Sequence, residues 1–161
     1  DGLGMIPGVA GTLVGAYWFL MLCGRLVGGA IGAKVSSRAM MTFVSSLAIV
    51  FVLLGMFIPS NVTMSLLDAQ VPIGMAFFVL CGLCTSIMWG AIFNLAVEGL
   101  GKYTSIASGL FMVMVCGGGI LPLLQGFVAD KAGYITSYWV IIAALAYTLC
   151  FALAGSKVNK K

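Results

Sequence analysis

The chain has no histidine and only four acidic and eight basic residues among 161. Charged residues make up 7% of the sequence, where soluble domains average about 25%. That shortage excludes a water-soluble fold. Without histidine, the usual metal-ligand sets cannot be assembled, and no metal or other cofactor is expected. Cys23, Cys81, Cys84, Cys116 and Cys150 all fall inside apolar runs, where a thiol behaves as a small hydrophobe, so the CxxC spacing of Cys81 and Cys84 does not by itself make a redox site. No nucleophile-and-base pair lies at membrane depth, and an enzyme is not expected. The formal charge of +4 has no basic cluster interleaved with aromatics on a polar surface, which argues against nucleic acid as a partner.

Apolar residues are abundant instead, at 62%. Uncharged stretches run over residues 39–67, 69–97, 103–129 and 132–156. Each is long enough to cross a bilayer, because a hydrocarbon core of about 30 Å takes roughly 20 helical residues. A fifth stretch, 13–33, qualifies but for Arg25. The expected fold is therefore all-α and integral to the membrane, with spans at 13–33 (A), 39–58 (B), 71–97 (C), 104–129 (D) and 135–154 (E). Residues 1–12 read as an extracytoplasmic loop, Ser60 to Gln70 as a polar loop and 156–161 as a cytoplasmic tail. Lys34, Arg38, Lys102, Lys157, Lys160 and Lys161 collect on one side of the spans, against Lys131 on the other. Basic residues near span ends are retained on the cytoplasmic face. The C-terminus is thus expected in the cytoplasm and the N-terminus outside, in a plasma (inner) membrane. An outside N-terminus with no signal sequence ahead of it predicts at least one earlier helix, so the chain reads as a fragment.

The spans differ in their small residues, which let helix backbones approach closely when they recur every four positions. Span A carries Gly24, Gly28 and Gly32. Span C has Gly82, Ser86, Gly90, Asn94 and Glu98, and span D has Gly118 within a run of three glycines, then Pro122 and Gly126. Spans B and E are more uniformly apolar. A, C and D are therefore expected as the inner layer and B and E as outer helices. Gly24, Gly28, Gly32, Gly90, Gly118, Pro122 and Gly126 are the candidates for packing and gating. The sequence of glycine ridge, charged turn and apolar helix occurs after both A and D, which would end on opposite sides. That is the signature of the inverted repeats that build many secondary transporters.

Arg25 begins two positions past the centre of span A, where insertion costs roughly 2.5–3.5 kcal/mol. The seven residues to Gly32 rise about 10 Å, which a long side chain covers only in part. Either Arg25 snorkels or bonds free carbonyls, or it serves substrate binding or proton coupling. Asp1, Asp68, Glu98 and Asp130 all fall in loops or at span ends, so an anionic partner is expected outside this chain. Trp89 lies deeper than the interfacial belt and is either core or a stacking surface for a ligand such as a sugar. Asn94 and Glu98 either close an inner gate or are wetted from the cytoplasm. For Gln125, packing and gating both stay open, and Asp130 with Lys131 reads as a turn.

The run Ser86-Ile87-Met88-Trp89-Gly90-Ala91-Ile92-Phe93-Asn94-Leu95, followed by Gly99-Leu100-Gly101, resembles the tenth helix of the fucose and glucose/galactose proton symporters of the major facilitator superfamily. Gly24-Arg25-Leu26-Val27-Gly28 resembles the eighth. Gly118-Gly119-Ile120-Leu121-Pro122, with Gln125 to Asp130 and Gly133, resembles the end of the eleventh. The resemblance implies that the five spans are helices 8 to 12 of a twelve-helix fold, forming part of the C-terminal six-helix bundle over 13–155. It implies proton-coupled monosaccharide import by alternating access, with the proton as coupling ion and the amino-terminal half of the same transporter, the bilayer and a sugar as partners. Arg25 matches an arginine facing the opposite half. Trp89 matches an aromatic beside the central cavity, often tyrosine, and Gly90 stands where proline is common. A carrier of another small solute or drug is the nearest alternative, and a non-transporting scaffold subunit is the alternative from another class.

Overall fold

The computed structural model describes residues 7–59, 62–66 and 69–155. The expected loop at 1–6, Asp68 and the expected tail with Lys157, Lys160 and Lys161 lie outside the described residues. The rest is six α-helices and one short hairpin: α1 (Pro7–Gly32), α2 (Ser37–Phe57), β1 (Thr63–Leu66), β2 (Ala69–Pro72), α3 (Ile73–Val97), α4 (Thr104–Met114), α5 (Ile120–Ala132) and α6 (Tyr134–Cys150). A π-helical turn, Phe151–Gly155, extends α6. Among the described residues, four helices are long and apolar enough to cross a membrane, over Gly8–Gly32, Ser37–Phe57, Ile73–Val97 and Tyr134–Gly155.

Three expectations are corrected. Helix α1 begins at Pro7, so residues 7–12 are helical and not loop. Proline suits a first helical position because its missing N–H has no intrahelical partner there. The stretch read as a polar loop before span C contains an antiparallel hairpin pairing Thr63 with Pro72, Met64 with Val71, Ser65 with Gln70 and Leu66 with Ala69. Its β-branched Thr63 and Val71 favour the extended backbone, and Val71 is buried. Span D is not one helix over 104–129. It divides into α4 and α5 around a 3-10 turn at Val115–Gly119. Three consecutive glycines, each about 1 kcal/mol poorer than alanine in a helix, fall in that turn.

Local signals set several ends. Ser36 caps α2, its hydroxyl oxygen accepting from the Ala39 amide at 3.3 Å, and Pro59 follows the end of the helix. The α5–α6 corner turns on Gly133 at φ +90°, a conformation that a side chain would strain.

Helix α3 stands between α1 and α2, α6 packs on α2, and α5 packs on α6. The core joins Met40, Met41, Val44, Ala48 and Val52 of α2 to Cys81, Cys84, Ile87, Met88 and Ala91 of α3, with Leu145 of α6. Helix α2 buries this face and leaves Phe43, Val50, Leu54 and Phe57 exposed on the other. Of the three spans expected to be inner, C (α3) is central, whereas A and D are barer: Trp18, Phe19, Leu22 and Leu26 of α1 and Leu123 and Phe127 of α5 are uncovered.

Glycine decides how closely the helices meet. A Cβ on Gly24 would stand 2.8 Å from the Leu83 carbonyl oxygen, one on Gly28 would stand 3.1 Å from Ile87 Cγ1, and one on Gly82 would stand 2.8 Å from the Tyr17 carbonyl oxygen. Across the other side of α3, a Cβ on Gly74 would stand 2.8 Å from the Gly55 carbonyl oxygen. The same pairs fix direction. From Tyr17 against Gly82 to Gly28 against Ile87 both numbers rise, so α1 and α3 run parallel. Helix α6 also runs parallel to α3: the Phe78 and Tyr138 rings stack at 4.2 Å near the start of both, and Met88 shares a cavity with Ala144 and Thr148 farther along.

Gly24→Ala is expected to destabilise the fold by about 1–3 kcal/mol, because the obstacle is backbone. Gly29→Ala meets nothing within 4 Å and is expected to be neutral or to gain up to about 1 kcal/mol from helix propensity. Thermal unfolding of the purified protein in detergent separates them, and equal midpoints would reject the close-approach account. Ser45 is fully buried in α2 and its hydroxyl has no hydrogen-bond partner among the described residues. Ser45→Ala is accordingly expected to leave the midpoint unchanged or to raise it, by up to about 1 kcal/mol of stability.

Candidate functional site

Residues 25, 28, 29 and 32 of α1 recur at spacings of three and four, as do 86, 90 and 94 of α3. With α1 and α3 parallel, the two rows face each other across one cleft of about 280 Å³, with Met40 of α2 also lining it. Arg25, Gly28, Gly29 and Gly32 form one wall. Ser86, Ile87, Trp89, Gly90 and Asn94 form the other. Of the singled-out positions, the cleft thus brings together Arg25, Trp89, Asn94, Gly28, Gly32 and Gly90.

The walls are spaced by the glycine crossing beneath them and pinned by two hydrogen bonds. Ser86 donates its hydroxyl to the Met21 carbonyl at 2.6 Å. The Tyr17 hydroxyl lies 3.3 Å from Thr85 Oγ1, which in turn donates to the carbonyls of Cys81 and Gly82 at 3.1 Å. Gly90 has nothing within 4 Å of a Cβ position, so its lack of a side chain leaves room in the cleft and is not used for packing.

Three kinds of group line the space. Arg25 is exposed to it and, among the described residues, has neither an ion pair nor a hydrogen bond. A guanidinium offers five N–H donors and no acceptor. Asn94, also exposed, offers both. Trp89 is 41% exposed and presents an apolar face with one N–H. A small, polyhydroxylated solute suits this set, with hydroxyls on the arginine and amide and a C–H face on the indole. The volume lies at the lower edge of the roughly 300–1,000 Å³ usual for small-molecule pockets.

The remaining candidates lie elsewhere. Gly24 sits in the α1–α3 crossing. Pro122 and Gly126 line a separate cavity of about 280 Å³ with Gln125, Tyr134 and Tyr138, between α5 and α6. Gly118 belongs to the 3-10 turn and meets nothing within 4 Å. Sequence reading missed an aromatic group behind Trp89. Phe93 lies parallel to it, with ring centroids 6.1 Å apart, and Phe111 of α4 meets Trp89 and Phe93 edge-on at 6.0 and 5.4 Å. The Trp89/Phe93 spacing of four was a usable signal. Phe111 lies across a turn and carried none.

Over 144 residues, 89% of the chain, the sequence is 31% identical to a protein of Brucella abortus named glucose/galactose transporter, 32% of which is covered. It is 31% identical over 88% of the chain to a putative glucose/galactose transporter of Helicobacter pylori, covering 33% of that protein. It is 27% identical over 93% of the chain to the L-fucose-proton symporter of Escherichia coli, covering 31% of it. No family model and no solved structure matches the chain. The chain spans about a third of the length of the curated relatives it matches. Over most of its length the chain is thus similar to about a third of each of these sugar transporters.

Proposed function

We propose that the chain is the helix 8 to 12 region of a proton-coupled monosaccharide importer that works by alternating access, and that Arg25, Trp89 and Asn94 form its contribution to the sugar site. The observation that carries this reading is the single cleft that gathers an arginine, an exposed indole and an amide, in a stretch similar to three sugar transporters. In this reading α4 and α5 together make the fifth crossing. The parallel course of α3 and α6 supports it, since a chain that leaves α3 at one face must return across the membrane before it can run the same way again. The parallel α1, α3 and α6 also support the orientation: their C-terminal ends share one side with Lys34 and Lys102, which on the basic-residue rule is cytoplasmic. The N-terminal end of α1 then faces outside.

An unpaired guanidinium at this depth is costly. The proposal supplies its partner as a carboxylate on the part of the transporter beyond this chain, where the uncovered faces of α1 and α5 also find cover. Sugar and proton load together from outside. Protonation of the carboxylate weakens its hold on Arg25, and Arg25 is then free to bond sugar hydroxyls while the two halves rock to open the site inward.

Uptake of radiolabelled fucose, glucose and galactose by cells expressing the full-length protein is expected to follow the inward proton gradient and to collapse with a protonophore. Uptake indifferent to the gradient would reject coupling. Arg25→Met is expected to cut accumulation by about tenfold or more, as loss of a buried charge-assisted contact does. Arg25→Leu that still transports normally would reject the role given to Arg25. Gly90→Leu is expected to leave the melting midpoint within about 0.5 kcal/mol of stability of the parent while abolishing sugar uptake, because its side chain enters the cleft and not a helix contact.

A further inference from the structure

We propose that Phe111 on α4 is a positioning residue for Trp89, and that the glycine turn at Val115–Gly119 is a hinge through which α4 can carry Phe111 away from the cleft wall without disturbing α5. The proposal rests on the reading of the cleft as the sugar site.

Trp89 has one face open to the cleft, so its ring orientation must be fixed from the sides. Phe93, one turn along α3, lies parallel at a 2° interplanar angle and moves with the same helix. Phe111 comes from another element. It meets both rings at 77°, the edge-to-face arrangement that aromatic quadrupoles favour. It closes a three-ring group in which the indole cannot rotate without losing a perpendicular neighbour.

Helix α4 otherwise holds on weakly. It buries none of its residues, and Leu110 and Val113 are 63% and 69% exposed. It packs on α3, where Phe111 supplies the ring contacts. Beyond the turn, α5 packs on α6 instead. One membrane-directed segment is therefore fastened to two different helices on either side of a 3-10 stretch containing three successive glycines. A mid-helix 3-10 stretch with low helical propensity is where a helix bends. Displacement of α4 removes the edge of Phe111 from Trp89 and leaves the indole held by Phe93 alone. Through this joint, α4 sets whether the stacking surface is rigid or loose.

The test uses the full-length protein labelled with 5-fluorotryptophan, the Trp89 fluorine resonance being assigned by its loss in Trp89→Phe. Phe111→Leu keeps apolar bulk and removes the ring. It is expected to shift or broaden that resonance and to raise KM for the transported hexose about three- to tenfold with Vmax within about twofold. Phe111→Tyr, which preserves the edge, is expected to restore both. A resonance unmoved by Phe111→Leu overturns the proposal, and so does a fall in Vmax at constant KM. The fluorine measurement needs no substrate. If the wild-type protein takes up no hexose but Phe111→Leu still moves the resonance, the sugar site is refuted while the positioning of Trp89 stands.

Discussion

The absence of a Cβ at Gly24 and Gly28 is the constraint on which the rest of the molecule depends. At these positions α1 comes within van der Waals reach of the α3 backbone, with Leu83 and Ile87 where side chains would otherwise stand. In lipid there is no hydrophobic drive between helices, so close packing and hydrogen bonds such as Ser86 to the Met21 carbonyl must hold them. The crossing also decides the cleft. Two parallel helices that touch along one stretch diverge beyond it. Arg25, Gly29 and Gly32 on one side, and Trp89, Gly90 and Asn94 on the other, occupy the opening that results.

Much of this was legible in the sequence for simple reasons. Bilayer thickness forces long uncharged runs, and such runs located α1, α2, α3 and α6 to within a few residues, apart from the early start of α1 at Pro7. The four-residue spacing of Gly24 and Gly28, and of Gly82 and Ser86, identified the faces that meet. The division of span D was not read from hydropathy, because a window average does not register that three glycines weaken a helix whose flanks are apolar. The hairpin at Thr63–Pro72 was hidden by its polar composition. The Gly55–Gly74 approach carries no periodic signal on the α2 side, where Gly55 is the one glycine of the helix.

The site was legible in part. A lone arginine at mid-membrane and a tryptophan below the interfacial belt stand out against an apolar background, and both line the cleft. That Pro122 and Gly126 belong to a different cavity from Arg25 could not be read. Depth along a helix follows from residue number, but the direction a helix faces depends on which neighbours it packs against. The same limit concealed Phe111, whose role is set by the corner between α3 and α4.

The unequal freedom of the two cleft walls bears on how such carriers diversify. The α1 wall is tied to the crossing through Gly28, and bulk added there or at neighbouring Gly24 costs the fold itself. Gly90, which touches nothing, and Asn94, which is exposed, can change without disturbing a helix contact. On the proposed reading of the cleft as the sugar site, selection for a new solute can act on one side of the opening while the other stays as an inherited anvil, so substrate range can drift within a lineage without any change of architecture.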